Sequence, residues 1–203
     1  PTLPFLDPPL SDPESYYRNQ PVNFPGLTPK TFVTNITLVP SKANKPGEVE
    51  IENNTYYFTT GTVNVDHVSG NHDLVIVAMG NVDVGSNVTL TNTTIVSGAE
   101  VSLNGGVEIR AALPLPAIVA QAAVHGDANV VIFGAVLSGG AVDLNPIQVH
   151  GIVIGDPVEV QGGAGSIYTD DGNLAYYDLI PGVFYSKDLL TTITLAGTWR
   201  ELQ

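Results

Sequence analysis

The segment Asp66-His67-Val68-Ser69-Gly70-Asn71-His72-Asp73 places two imidazoles and two carboxylates around a turn. These are the donor types a transition metal takes. Nothing in the spacing forces the four groups to converge, and turns hold the same residue types for their own hydrogen bonds. Asp66, Asp83 and Glu100 follow one another at spacings of 17 and 17, which would stack them loosely on one face of a coiled chain. Polysaccharide lyases and hydrolases use clustered carboxylates, with calcium or as acid and base. They commonly add a cation in the same groove, and the three arginines, Arg18, Arg110 and Arg200, do not fall beside paired acids in a regular strand. Outward-facing, solvated acids account for the trio equally well. Asp170-Asp171-Gly172-Asn173 is rich in oxygen ligands of the kind calcium prefers, but it lacks the alternating acids of a dedicated calcium loop and reads as an ordinary turn. His125 and His150 stand alone and read as structural residues at corners.

Four Asn-x-Thr triplets begin at Asn35, Asn53, Asn87 and Asn92. Each is a glycan acceptor if the source cell glycosylates exported proteins. No phosphate-binding loop, nucleophile elbow or Ser/His/Asp order is present, and Gly162-Gly163-Ala164-Gly165 reads as a corner because no helix follows it. The sequence therefore assigns no catalytic, cofactor or metal residue.

The elements that would carry these side chains announce themselves by repetition. Val63, Val82 and Val101 are 19 residues apart, as are Val65, Val84 and Leu103, and Tyr57, Ile76 and Ile95. Val88 to Val107 and Leu90 to Ile109 keep the same step. A repeat near 20 residues without a helical period marks a stacked coil, each turn burying the face of the last. Apolar residues alternate with Asn, Asp, Thr, Ser and Glu, as in strands with one face inward. Gly70, Gly80, Gly85, Gly98, Gly105 and Gly106 sit between them at corners. Residues 110–128 break the pattern, as irregular coil, an edge bulge or a short helix over residues 117–124. The step then shortens to 17 from Ala135 to Ile152 and to 16 from Val142 to Val158. The variable step, without an apolar residue at every sixth position, fits a right-handed parallel β-solenoid better than a left-handed one.

The chain of 203 residues is 43% hydrophobic, enough for one domain with a sizeable core. Its 7 Lys and Arg against 20 Asp and Glu give a formal net charge of −13. That opposes nucleic acid and anionic membrane surfaces, while it permits divalent cations such as calcium. Cysteine is absent, which excludes disulfides and thiolate metal sites. No apolar run of about 20 residues and no signal peptide is found in the chain. Residues 1–30 form a proline-rich arm with no expected regular helix or central strand, and its apolar residues favour docking on a surface. Residues 31–203 form the all-β, single-domain solenoid. Tyr168, Tyr176, Tyr177, Phe184, Tyr185 and Trp199 are expected to cap its open end.

The segments Phe133–Asn145, Val149–Gly155, Val158–Gly163 and Ile167–Asp170, with the closing Trp199-Arg200-Glu201, resemble the C-terminal solenoid of PilX-like pilus-assembly proteins. These are large minor-pilin-like proteins of type IV pilus systems. The resemblance runs over roughly residues 55–203 and implies an extracellular or cell-surface role, structural or adhesive, with no catalytic residue carried over. The chain departs from the pilin pattern in having a proline-rich start instead of a long apolar helix. The first expectation is a non-enzymatic module that meets pilus subunits, copies of itself or glycans. The second is a filament subunit joined through its arm. The third is a polysaccharide-degrading β-helix acting through Asp66, Asp83 or Glu100.

Overall fold

The computed structural model describes residues 12–41, 44–112, 115–144, 147–160 and 166–168. The first element is a helix, α1 (Pro13–Asn19), followed by a 3-10 turn at Gln20–Asn23. This corrects the expectation that proline bars a helix from the arm. Pro13 stands in the first turn, where a missing N–H costs nothing, and the Asp12 side chain accepts from Ser15 N–H at 2.9 Å as the N-cap.

Strands β1 (Thr28–Phe32), β2 (Ile36–Val39), β3 (Glu48–Glu50) and β4 (Thr55–Thr59) open the solenoid. The first regular turns are β5 (Val63–Val65) with β6 (Ser69–Ala78), then β7 (Val82–Val84) with β8 (Thr89–Ser97). Next come β9 (Val101–Leu103), β10 (Glu108–Arg110), β11 (Ile118–Ala120) and β12 (Val124–Gly126). The run continues with β13 (Val130–Phe133), β14 (Val136–Ser138), β15 (Val142–Leu144) and β16 (Ile147–His150). The last described strands are β17 (Val153–Ile154), β18 (Val158–Val160) and β19 (Ser166–Tyr168). All pairings are parallel, and the result is a β-solenoid of about five turns.

Among the described residues, one narrow sheet has eight strands in the order β18-β15-β12-β9-β7-β5-β2-β3 and the wide sheet has eleven, dividing at β8. The first part of β8 pairs with β10 and the second with β11, so two separate faces continue from there. The division has a simple cause. Val101 pairs with Val124, 23 residues on instead of 19, and the surplus lies between β10 and β11. The helix considered for residues 117–124 is not formed. Ile118–Ala120 is a strand paired on both sides, and these two ladders outweigh the helix preference of alanine. Every 19-residue ladder read from the sequence is in register, including Val63–Val82–Val101 and Tyr57–Ile76–Ile95.

The core fills the inside of the coil: Val63, Val82, Val101, Val124 and Val142 stack in one column, and all are fully buried. A second apolar layer lies outside the wide sheet, where Tyr56, Phe58, Val75, Val77, Val96, Val119 and Leu137 are also buried. These strands are covered on both sides, hence continuous apolar runs such as Val75–Ala78 in place of alternation. Part of the cover is the arm. Tyr17, Phe24 and Leu27 pack on this layer, Phe24 lies 5.7 Å from the Tyr56 ring, and Tyr56 OH donates to Tyr17 O at 2.8 Å. Residues 12–27 thus lie on the chain's own body.

Burial pushes the phenols of Tyr17 and Tyr56 well above their ordinary value near 10. For Tyr17, the neighbouring Tyr16 and Tyr56 add to the effect. A group whose folded pKa is raised stabilises the fold below the unfolded pKa and loses that contribution as pH climbs past it. Docking of the arm is therefore expected to be intact below about pH 10 and to weaken above it. Phenolate absorbance followed with far-UV circular dichroism tests this. A non-cooperative titration of all tyrosines at an ordinary pKa, with no loss of helix signal, would rule it out.

Candidate binding faces

The Val-x-Val triplets of β5 and β7 bury both valines, so the middle residue of each points out. Register places Thr37, Asn64, Asp83, Ser102, His125, Asp143 and Glu159 in one column along the solenoid. Neighbouring members stand about 4.8 Å apart, the spacing of paired strands. A shallow concavity of about 320 Å³ opens beside the start of this column, lined by Thr37, Asn64, Val65, Asp66, Asp83, Gly85 and Asn104. Asn104 is oriented by donation from Nδ2 to Val84 O at 2.9 Å. The surface offers carboxylate and amide oxygens with amide and hydroxyl donors at strand spacing, which suits a polyhydroxylated ligand. Asp143 Oδ1 is buried there and has no hydrogen-bond partner.

A second column forms on the wide sheet, where Arg110, Phe133 and His150 are register partners. The Arg110 guanidinium lies 3.7 Å from the Phe133 ring centre, and the His150 ring stacks on its other side at 4.6 Å and 11°. Both faces of Phe133 are therefore occupied, which leaves no aromatic face for a sugar ring. Glu108 Oε1 accepts from Arg110 Nε at 2.7 Å. Every described Lys and Arg is paired with a Glu in the same way, as Arg18–Glu14, Lys30–Glu52, Lys45–Glu48 and Arg110–Glu108. Such pairing leaves little attraction for polyanions, in keeping with the acidic balance of the whole chain.

A third feature is an apolar cavity of about 110 Å³ between α1 and the outer layer, lined by Tyr16, Tyr17, Phe24, Tyr56, Val75, Val96, Leu115 and Leu137 among others. Two of its hydroxyls are engaged within the chain: Tyr56 OH donates to Tyr17 O, and Thr94 Oγ1 donates to Pro116 O at 2.8 Å. The space is lined mainly by apolar side chains and matches one small apolar group.

The residues singled out from the sequence are mostly kept apart. A spacing of 17 in a coil of pitch 19 moves each acid two residues back around the turn. Asp83 lies within β7, Asp66 follows β5, and Glu100 precedes β9, so they do not stack as a trio. Only Asp66 and Asp83 share the concavity. His67 is exposed with Nε2 3.4 Å from Asp66 Oδ1, whereas His72 pairs through Nδ1 with Asn53 Oδ1 at 2.8 Å. His72 Nε2 is buried without a partner. No group of three or more His, Asp or Glu able to hold a metal ion occurs among the described residues. His125 and His150 lie in strands β12 and β16 and not at corners, because the insertion before β11 displaces the register on which the corners were counted.

The sequon asparagines are all exposed, yet three of them serve the corners. Asn35 Oδ1 accepts from Thr62 N–H at 3.0 Å, Asn53 holds His72, and Asn92 Nδ2 donates to Asp73 Oδ1 at 2.8 Å. Asn54, Asp73 and Asn92 repeat at the pitch of the coil and share a left-handed backbone, with φ of 53°, 51° and 53°. Short side chains of the Asn and Asp type tolerate that conformation best after glycine. The hydroxyl residues of two sequons, Thr55 and Thr94, are buried. The Asp170–Asn173 turn, the Gly162–Gly165 corner and the aromatic cap beyond Tyr168 lie outside the described residues. The polar column on the narrow sheet went unrecognised as a unit, although the middle residue of each Val-x-Val triplet announces its first members. No family model, curated protein or solved structure matches this chain.

Proposed function

We propose that this chain is a non-enzymatic extracellular or cell-surface module, structural or adhesive, that presents the polar column of its narrow sheet to glycans or neighbouring subunits. The observation behind this reading is the persistence of the column. Its members from Asn64 to Glu159 succeed one another at 19, 19, 23, 18 and 16 residues, and each outward position still holds a polar side chain. Most are short, as in Thr37, Asn64, Asp83, Ser102 and Asp143. Short side chains lose less rotamer entropy on binding than the Lys, Glu and Arg that would serve solvation alone. A type IV pilus is the setting implied by the resemblance of residues 133–170 to PilX-like proteins.

The test is glycan-array screening of the native chain beside an Asn64→Ala/Asp83→Ala/Ser102→Ala variant with an unchanged melting curve. Binding by the native chain that drops at least tenfold in the variant is the expected result. Equal binding by both would exclude the column as the adhesive face, and cleavage of any bound glycan would exclude the non-enzymatic reading.

A further inference from the structure

Among the described residues, two strands end the solenoid on its N-terminal side: β1 at the edge of the wide sheet and β3 at the edge of the narrow one. A free strand edge is a template on which another chain can pair. In β1, Thr28 N–H bonds to Asn54 O at 2.7 Å and Thr60 N–H to Phe32 O at 3.3 Å. With Thr28 opposite Thr55, this pattern turns the backbone groups of Thr28, Lys30 and Phe32 toward β4. The free edge therefore belongs to Pro29 and Thr31, and both are exposed. Pro29 has no N–H, so only Thr31 can donate to an incoming strand there.

Part of the β3 edge is engaged by other means. Thr37 N–H bonds to Gly47 O at 2.8 Å and Ile51 N–H to Val39 O at 2.9 Å, which turns Val49 toward β2 and leaves Glu48 and Glu50 outward. Glu48 N–H is already held by Lys45 O at 3.1 Å, and Glu50 O accepts from Tyr57 OH at 3.3 Å. The Glu48 carboxylate accepts from Asn44 and Lys45 N–H at 2.8 and 2.9 Å, which holds its pKa below the ordinary value. Between the two edges, Lys30 Nζ meets Glu52 Oε1 at 2.5 Å, placing an ion pair at the end of the core.

We infer that the N-terminal end of this solenoid is a built stop to strand addition, so copies of the chain cannot grow end to end into an open filament. A head-to-tail filament uses both ends of every copy. With one end closed, joining through the other gives a two-fold pair and ends there. Only lateral partners then remain for assembly in larger numbers.

The chain has no cysteine, so Thr31→Cys supplies a single thiol for a pyrene label at the edge itself. In the otherwise native background, pyrene is expected to show monomer emission at every concentration, with no sedimenting species beyond a pair. Adding Pro29→Thr, Glu48→Thr and Glu50→Thr should at least double the sedimenting mass, with excimer emission where two released edges meet each other. Pro29→Thr alone serves if the combined variant fails to fold, because Pro29 is exposed and donates no ladder bond. Excimer emission or end-joined polymers with all three native residues in place would overturn the inference. A folded release variant that sediments no heavier than the native chain would overturn it as well.

Discussion

Replacing Ile95 by alanine should cost about 2–5 kcal/mol, the range for emptying a fully buried aliphatic site. Ile95 has no exposed surface and lies in register between Ile76 and Ile118. Its N–H bonds to Ala117 O at 2.9 Å. It also stands on β8, the strand at which the wide sheet divides, so its column joins the regular turns to those beyond the insertion. In a stacked coil each turn is held chiefly by its two neighbours. A cavity at this level therefore weakens both interfaces, and relaxation is limited because the turns above and below are anchored by their own ladders. Urea unfolding checks the size, and hydrogen exchange checks the place, with faster exchange expected in β6 and β11. Val33→Ala is the control, since Val33 is 70% exposed and its truncation should stay within about 0.5 kcal/mol of native. A loss below about 1 kcal/mol at Ile95 would mean that the column collapses freely, contrary to close packing.

The second large effect concerns a hydroxyl. Ser97 is fully buried, and its Oγ lies 2.9 Å from Gly80 O, 2.9 Å from Glu100 O and 3.1 Å from Ala99 N–H. It thereby closes its own corner and reaches the carbonyl of the turn before. Thr59 and Ser138 occupy equivalent places two turns to either side, with Ala78 and Ala120 between. Thr59 Oγ1 donates to Thr34 O and accepts from Gly61 N–H, while Ser138 Oγ approaches Ala122 O and accepts from Gly140 N–H. Hydroxyl and alanine alternate because one hydroxyl serves two corners and a second in the same column would find no partner. Ser97→Ala should cost about 1–3 kcal/mol, the range for stranding buried polar groups. Ser97→Thr keeps the hydroxyl, as Thr59 shows is possible in this column, and should recover most of the loss. Equal thermal stability of Ser97→Ala and the native chain would show that water or a relaxed corner satisfies the groups left behind.

How far the sequence could be read follows from the pitch. Where the step holds at 19, a column of valines alone discloses the strands, their parallel stacking and the corners. The extra residues before Ile118 shift every later alignment, so Arg110, Phe133 and His150 give no sign in the sequence that they touch. The same shift conceals the pairing of His125 with Ser102 and Asp143. Asp66, Asp83 and Glu100 invited a shared face because 17 resembles the pitch, but the mismatch of two residues carries them around the corner. In the arm, counting prolines obscured where they stand. Pro13 favours a helix start, and no proline interrupts the turns after it until Pro21. The outer apolar layer was implicit in the runs Tyr56–Phe58 and Val75–Ala78, which lack the polar alternation of a strand with one wet face.

The layer outside the wide sheet gives the molecule a back and a front. One flank is upholstered by its own arm, and among the described residues no such layer covers the narrow sheet on another flank. A chain tethered by the dressed flank shows its polar column to whatever passes, and one laid down on the bare flank hides it. Orientation on a support would then govern the apparent affinity of an otherwise identical preparation, and any immobilised assay of this chain should be run from both sides.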